Sequence, residues 1–266
     1  MIHIEQYHKV DSLEEAYRLL QKYETAVLLG GGAWIRTGSK PLEHVIDLKG
    51  LGLDTIIETK DSLSIGAMVS LRAMETHAGI RQLGGGFLSE ALSQILGVAF
   101  RNTATVGGSI MGKFSFSDLL TPLLMLDVTL QFYDAGPMRL TTFLAQRGRL
   151  KDILQAITIE KKACRAMFKK VANTALDFSI VNVAVAIVEG RYRIAVGARP
   201  GTAILAESVM AWLDTVESPT EATWKEAGEK VVETIKLGTN QRAHESYRQQ
   251  LVKTYVARGL KEVSGS

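Results

Sequence analysis

The sequence predicts an α+β fold in which an α/β half is followed by a unit of antiparallel strands and helices. Strand and helix signals alternate through the first half of the chain, as they do in α/β layers. The second half begins with strands in hairpin order and ends with two helical segments. The 266 residues, 46% of them hydrophobic and 22% charged, are enough for two domains of ordinary globular composition. We expect the boundary between the domains near residues 160–165.

The first half opens with a helix whose start is marked by Ser12 and Glu15. These residues form a capping box, and apolar side chains then recur at helical spacing as far as Tyr23. Ser70 is expected to cap a further helix that runs toward His77. The other elements predicted here are strands at 25–29, at 44–48 and on both sides of the polar turn 59–61, and a helix at 87–96.

The second half is expected to contain two strands, a hairpin and two final helices. The hairpin turns at Glu189-Gly190, and Ser218 with Pro219 and Glu221 predicts the capped start of the first helix. The other predictions are strands at 152–160 and 165–173, a last helix from about Arg242 to Leu260 with Tyr247, Leu251, Tyr255 and Leu260 facing inward, and a frayed tail at 263–266.

Charge and cysteine content exclude several classes of function. The formal net charge of +3 is too small to indicate nucleic acid binding. Cys164 is the only cysteine, so these residues cannot form an internal disulfide or hold an iron–sulfur cluster by thiolates. The five histidines lack helical metal-ligand spacing, which argues against a metal site. With no signal-peptide pattern and no apolar run of membrane length, we expect a cytoplasmic protein without a membrane span.

Two glycine-rich stretches carry the strongest sequence signal for a binding site. The first reads VLLGGGAWIR over residues 27–36, and the second reads RNTATVGGSI over 101–110. Each is expected to end a short strand in a turn whose backbone N–H groups can bind an anion. Two such turns side by side suit the two phosphoryl groups of a pyrophosphate, although each alone also fits an ordinary glycine turn. Neither stretch reads as a Rossmann or a Walker phosphate motif.

These residues resemble the FAD-binding subunits of molybdenum hydroxylases, such as the medium chains of carbon monoxide dehydrogenase and the flavin chains of xanthine dehydrogenase. LLGGGAWI is similar to an A-G-G-T-D-L segment of that family, and RNTATVGGSI to an I-R-N-x-A-T-V-G-G-N-I segment. The resemblance continues in SDLLTPLLMLD from Ser117, FKKVANTALDFSIVNVAVAI from Phe168 and RAHESYRQQLVKTYVARGL from Arg242. It implies an FAD-binding domain at 1–162, with α/β parts at about 1–55 and 56–162, and a C-terminal flavoprotein α+β domain at 163–262.

The resemblance also implies which residues contact FAD, and it points to no catalytic and no metal-binding residue. Backbone groups of the two glycine stretches are expected to hold the pyrophosphate. The expected cofactor contacts are Leu29, Gly30, Gly31, Gly32, Ala33, Trp34, Ile95, Ala104, Thr105, Gly107, Gly108, Ser109, Gly112, Ser117, Asp118, Leu154 and Lys170.

Asp118 and Lys170 have side chains that fit such a role. By the resemblance, Asp118 would accept hydrogen bonds from two ribityl or ribose hydroxyls at once. Lys170 would lie near the flavin ring edge, where a cation stabilises the anionic reduced flavin. Taken by themselves, the same residues also fit an acid in the first turn of a helix and a solvated strand lysine beside Lys169.

The chain departs from the family pattern inside both glycine stretches. Ala33-Trp34 stands where the family commonly has Thr-Asp, so one hydroxyl donor to phosphate is missing, and Ser109 replaces a longer asparagine. Lys113 is a candidate for supplying the missing phosphate charge, while the phenylalanines that follow it are candidates for crowding the cleft. These departures predict that FAD binds less tightly than in typical members, or through a changed set of contacts.

The function implied by the resemblance is electron transfer within a heteromeric complex. A substrate is oxidised at a molybdenum centre on another chain, and electrons pass through iron–sulfur clusters on a third chain to FAD here, then to an acceptor such as NAD or a quinone. Expected partners are therefore an iron–sulfur subunit and a molybdopterin subunit, with Arg101 as an exposed cation at the contact. Two alternatives stay open: a scaffold that has lost its flavin, and a stand-alone flavin reductase or oxidase.

Overall fold

A computed structural model describes residues 2–265 and divides the chain into two compact units. The first unit contains residues up to 74 together with 98–112 and 128–160. The second contains 75–97, 113–127 and the chain from 161 onward. The α+β fold class predicted from the sequence is confirmed. The predicted division of the sequence at residues 162 and 163 stays a prediction.

The first unit contains a small parallel sheet covered by a capped helix. The sheet has the order β1-β3-β2, with strands Ile4–Lys9 (β1), Val27–Leu29 (β2) and Leu42–Asp47 (β3). Helix α1 (Leu13–Lys22) begins at the predicted cap, where the Ser12 hydroxyl accepts from the Glu15 N–H. Ala16, Leu19 and Leu20 of α1 are buried in one core with Ile46 of β3, because these positions share one helical face.

A second, antiparallel sheet completes the first unit. Its order is β4-β5-β8-β6-β7, with strands Ile56–Glu58, Ser62–Gly66, Val128–Phe132, Pro137–Arg139 and Leu154–Glu160 numbered in chain order from β4 to β8. Helices α5 (Val98–Thr103), α6 (Val106–Met111) and α8 (Leu140–Ala145) also belong to this unit. Helix α2 (Leu71–Thr76) starts behind Ser70, whose hydroxyl accepts from the Ala73 N–H as predicted.

The second unit is built on an antiparallel sheet of order β12-β11-β10-β9. Its strands are Cys164–Val171 (β9), Val181–Val188 (β10), Arg191–Gly197 (β11) and Ile204–Leu205 (β12), and Glu189-Gly190 forms the predicted hairpin turn between β10 and β11. Helices α9 (Glu207–Leu213), α10 (Glu221–Thr234) and α11 (Glu245–Ser264) bury one core with the sheet. Short helices α3 (Ala78–Gln82), α4 (Phe87–Ser93) and α7 (Leu120–Leu123) complete the unit. Within residues 2–265, no helix has the length and apolar character needed to cross a bilayer.

The predicted start of α10 is wrong by two residues. The cap is Thr220 rather than Ser218, because Thr220 and Thr223 satisfy each other's backbone N–H groups in a reciprocal capping box. Pro219 therefore precedes the cap instead of occupying the first helical position.

One residue of the inward face predicted for α11 is wrong. Leu260 is fully buried, and Leu251 and Tyr255 are partly buried against the same core, as predicted. Tyr247 is 50% exposed, whereas Arg248, Val252 and Val256 are fully buried. The two valines have no polar atom to solvate, while the phenol of a tyrosine is better left in contact with water. The helix extends to Ser264 with Val263 buried, so two of the four residues in the predicted frayed tail belong to the helix, and Ser266 lies outside the described residues.

Candidate functional site

The first glycine stretch leaves β2 as an open loop of backbone. Among the described residues, the N–H groups of Gly30, Gly31, Gly32 and Ala33 donate no hydrogen bond to the chain. Gly31 is exposed, while Gly30 and Gly32 are half-buried. Several adjacent N–H groups without protein acceptors form the type of concavity that binds an anion. This segment therefore has the donors that a phosphate group requires.

The two glycine stretches contact each other directly within the first unit. The Thr105 hydroxyl donates to the Gly30 carbonyl oxygen at 3.1 Å and accepts from the Gly108 N–H at 3.2 Å. Gly31 has φ +73°, and a Cβ built on it would overlap the backbone oxygen of Thr103. Only glycine can take this conformation so close to another backbone. We call residues 30–33 and 103–108 the glycine cradle.

The second stretch differs from the prediction that it ends a strand. Gly107 and Gly108 lie in the first turn of α6, whose cap is Thr105. The Gly107 N–H donates to the Ala67 carbonyl, and a Cβ on Gly107 would stand 2.7 Å from the Cβ of Ala67. The Thr105 hydroxyl accepts from the Gly108 N–H and so caps a helix at this point, which explains why the segment is helical and not a strand. Gly107 is thus required by packing, whatever the loop binds.

The departures from the family pattern have a clear local outcome. Ser109 donates its hydroxyl to the Thr105 carbonyl oxygen at 2.8 Å, and its N–H reaches the same oxygen. Ala33 is buried, and the Trp34 ring packs against Phe100 with centroids 5.1 Å apart. Since the donors of Ser109 and the first turn of α6 are used inside the chain, the open donors of the cradle are the N–H groups of the first stretch.

A second group of predicted site residues lies in the second unit. Asp118 and Lys170 form a buried ion pair, with Lys170 Nζ 3.0 Å from Asp118 Oδ2 and side chains only 5% and 6% exposed. Lys170 also donates to the carbonyl of Gln94 at 3.0 Å. The Oδ1 atom of Asp118 accepts from the Ser179 hydroxyl and from Asn182 Nδ2. We call Asp118, Lys170, Ser179 and Asn182 the Asp118 cluster.

These bonds limit what Asp118 and Lys170 can offer to a ligand. A carboxylate has about four acceptor positions, and three on Asp118 are taken by protein groups. An ammonium has three donors, and two on Lys170 are taken. One acceptor position on Oδ2 and one N–H on Nζ are left beside each other. The alternative of a solvated lysine is excluded by the burial of Lys170.

A scan against protein-family models matches residues 3–160 to the FAD binding domain in molybdopterin dehydrogenase. The chain belongs to this family. Residues 166–263 match the CO dehydrogenase flavoprotein C-terminal domain. The chain is therefore an FAD-binding subunit of the xanthine dehydrogenase and CO dehydrogenase type of oxidoreductase.

Relatives of this FAD-binding chain cover most of its length. It is 29% identical over 193 residues to uncharacterized protein YgfM of Escherichia coli (strain K12), which covers 70% of this chain and 71% of the relative. It is 26% identical over 280 residues to the xanthine dehydrogenase FAD-binding subunit of Escherichia coli O157:H7. This match covers 96% of this chain and 94% of the relative. Carbon monoxide dehydrogenase from Hydrogenophaga pseudoflava superposes with a TM-score of 0.87 at 22% identity, covering 98% and 97%, and so shares the fold.

The other predicted FAD contacts are divided between the two units. Those in the first unit are Leu29 in β2, Ala104 before α6, Gly112 at its end and Leu154 in β8, of which Ala104 and Leu154 are buried. In the second unit, Ile95 is half-buried behind α4, and the Ser117 hydroxyl accepts from the N–H groups of Leu119 and Leu120 at the start of α7. These residues stay predicted contacts of FAD.

Two further expectations concern basic residues. Arg101, predicted as an exposed cation for a partner, is 5% exposed and lies in α5. It therefore cannot present its charge at a surface, and that prediction is wrong. Lys113 is half-buried in the second unit, where burial lowers the pKa of its ammonium group. The two phenylalanines after it stack on one another with ring centroids 5.1 Å apart.

Sequence reasoning missed Ser179 and Asn182, the two residues that donate hydrogen bonds to Asp118 Oδ1. Both are at most 2% exposed. Ser179 precedes β10 and Asn182 interrupts the apolar run of that strand. A lone amide in a strand of valines and alanines is a signal that could have found Asn182, because a buried amide needs polar partners.

Proposed function

We propose that this chain is the FAD-binding electron-transfer subunit of a molybdenum hydroxylase-type dehydrogenase. FAD bound here would accept electrons from iron–sulfur clusters on a partner chain and deliver them to NAD or a quinone. The observation that carries the proposal is the glycine cradle, in which Thr105 joins the two family segments while the amides of 30–33 keep open donors. The cytoplasmic location expected from the sequence is part of the same proposal.

In this proposal the open N–H groups of Gly30, Gly31, Gly32 and Ala33 bind the pyrophosphate of FAD. The cradle is suited to a phosphate because backbone donors keep their positions without ordering a long side chain. Gly31 lets the loop lie against Thr103, so that the donors are held in place before the cofactor arrives.

The Asp118 cluster would bind the polar part of the cofactor through its two remaining hydrogen-bonding positions, one acceptor on Asp118 Oδ2 and one donor on Lys170 Nζ. Asp118 Oδ2 would accept from one hydroxyl, rather than from two as the sequence comparison implied, because three acceptor positions are used. Lys170 would donate its third N–H beside it. A buried cation of this kind stabilises negative charge that develops on a bound group.

The need for partners follows from the content of the chain. One cysteine among 266 residues cannot hold an iron–sulfur cluster. No group of three or more His, Cys, Asp or Glu side chains in the part described, residues 2–265, is arranged to hold a metal ion. Xanthine dehydrogenase and carbon monoxide dehydrogenase are named among the relatives. We therefore propose an iron–sulfur subunit and a molybdopterin subunit as partners.

The proposal is tested by purifying the tagged chain from its native host at low salt. Co-eluting proteins would be identified by mass spectrometry, and flavin, iron and molybdenum would be measured in the same fraction. We expect all three cofactors and two further chains. The matched control is the same purification after a wash in high salt, which should remove bystanders held by surface charge and leave a complex held by buried contacts.

Two results would favour the alternatives instead. A chain that elutes alone with FAD and turns over NADH with an artificial acceptor would be a stand-alone flavin reductase. A chain that elutes with metal-containing partners but without flavin, and that binds none when FAD is added, would be a scaffold. The second result would also contradict the function assigned to the glycine cradle.

A further inference from the structure

Asn182 is a fully buried polar residue that contacts Asp118. Its exposed fraction is 0%, and its side chain uses both ends. Nδ2 donates to Asp118 Oδ1 at 2.6 Å and to the Ser117 carbonyl oxygen at 3.1 Å. Oδ1 accepts from the Thr121 hydroxyl at 2.7 Å. An amide fixed at both ends cannot rotate, so its N–H groups keep one direction.

The Asn182 amide has space in the sheet because the residue opposite it, Gly197, has no side chain. Gly197 of β11 pairs with Asn182 in the sheet, and a Cβ on Gly197 would overlap both Thr121 Oγ1 and Asn182 Oδ1. Any other residue at 197 would therefore push the hydrogen bond between Thr121 and Asn182 apart. Asn182 and Gly197 are far from Asp118 in the sequence, yet both support the same hydrogen-bond network.

Asn182 also determines which oxygen of Asp118 is left over. With Ser179 and Asn182 on Oδ1 and Lys170 on Oδ2, the carboxylate is held from both sides. Without Asn182, Oδ1 would lose one of its two donors, and rotation about the carboxylate bond would cost less. Pre-orientation of a ligating group matters most where that group has a single position to offer.

We infer that Asn182 is the positioning residue of Asp118: it directs the remaining acceptor position on Oδ2 toward the bound flavin cofactor. The inference rests on the proposed contact between Asp118 and FAD and goes beyond it, because Asn182 itself touches no cofactor. Thr121 and Gly197 support the same role. Thr121 donates a hydrogen bond to the amide of Asn182, and Gly197 leaves space for that bond.

The test compares FAD affinity in Asn182→Ala, Thr121→Val and Asp118→Ala, measured by titration of the apo chain with FAD. The matched control is Val183→Ala, which removes buried atoms from the adjacent position of β10, on the opposite face of the strand. We expect Asn182→Ala to weaken FAD binding about tenfold, as loss of a hydrogen bond to a charged group would. Thr121→Val should weaken it about threefold, and Val183→Ala should leave it unchanged.

Asn182→Asp provides a readout that a purely structural residue would not change. It places a second carboxylate 2.6 Å from Asp118, with Lys170 as the charged group facing the pair from β9. Two carboxylates at this distance bind a proton between them more readily as the pH falls. FAD binding by this variant should therefore strengthen as the pH falls, whereas FAD binding by the wild-type chain should change less over the same pH range.

Three outcomes would overturn the inference, and they can be told apart. If Asp118→Ala binds FAD as tightly as the wild-type chain, the proposed contact is wrong and the positioning role falls with it. If Asp118→Ala binds weakly while Asn182→Ala and Thr121→Val bind normally, the contact stands and the positioning role is wrong. If Val183→Ala weakens FAD binding as much as Asn182→Ala does, the effect comes from lost packing. Thr121→Val keeps the shape of the side chain, so the test survives if Asn182→Ala does not fold.

Discussion

Replacement of Gly31 by alanine separates backbone strain from contact between the two family segments. Gly31 and Gly32 have nearly the same backbone angle, with φ +73° and +69°. An alanine at either position should cost about 1–2 kcal/mol in free energy of unfolding, because L-residues avoid this region. At Gly32 the added Cβ would meet only the end of the Leu29 side chain, at 3.0 Å. Gly32→Ala is therefore the control for strain alone.

At Gly31 the added Cβ would meet rigid backbone instead. It overlaps the Thr103 carbonyl oxygen, and the two segments must part by about 1 Å before the contact is tolerable. This movement breaks the bond between Thr105 and Gly30, now 3.1 Å long, at a cost of about 1 kcal/mol. We therefore expect Gly31→Ala to lower the free energy of unfolding by about 2–3 kcal/mol, at least about 1 kcal/mol more than Gly32→Ala.

The same displacement should weaken FAD binding. Loss of one hydrogen bond from a backbone donor to a charged phosphate is worth about 1.5–3 kcal/mol, or about tenfold to a hundredfold in affinity. Urea denaturation of the apo chain gives the stability, and calorimetric titration with FAD gives the affinity. Gly50→Ala, where φ is +91° and nothing lies within 4 Å, reports strain outside the cradle. Equal stability and equal FAD affinity in Gly31→Ala and Gly32→Ala would refute the reasoning.

Three further predictions follow from the structure. The chain should bind FAD more tightly than FMN in calorimetric titrations, since FMN lacks the second phosphoryl group, and equal affinities would contradict a pyrophosphate site. Gly107→Ala should destabilise the apo chain by about 1–3 kcal/mol in urea without any flavin present, because its Cβ would stand 2.8 Å from the Ala67 carbonyl oxygen; an unchanged midpoint would exclude the packing explanation. Arg248→Met should cost about 3 kcal/mol by the same assay, since Arg248 is fully buried and donates to the carbonyls of Ile180, Gly238 and Ala243; a loss under about 1 kcal/mol would show that its bonds are compensated by solvent.

The family and the order of most elements could be predicted from short-range signals. A helix start such as Ser12 with Glu15 is a local event, since the capping bonds join residues three apart. The hairpin at Glu189-Gly190 is equally local, because both residues have positive φ. The two glycine stretches could be recognised for a similar reason, because a backbone conformation or close contact that only glycine allows requires glycine at that position in the sequence.

Positions that depend on long-range packing could not be predicted in this way. Tyr247 was wrongly assigned to the inward face of α11, because Tyr247 and Val252 both look apolar until the neighbouring surface is known. Arg101 looks like a surface residue from its charge, yet it is buried. Burial of a charged group is decided by its partners, and those lie elsewhere in the chain.

The sequence by itself determined the family of this protein, its FAD cofactor and the two segments that bear the glycine cradle. The tertiary structure decided which hydrogen bonds and packing contacts those residues make within the chain. It showed that Thr105 joins the stretches through one hydroxyl, and that Gly107 is needed for packing against Ala67. It also showed that Asp118 has one acceptor position left after Ser179, Asn182 and Lys170 have bound it. The physical reason is that a residue type fixes which hydrogen bonds a side chain can make, whereas only the folded chain fixes which of them are already used.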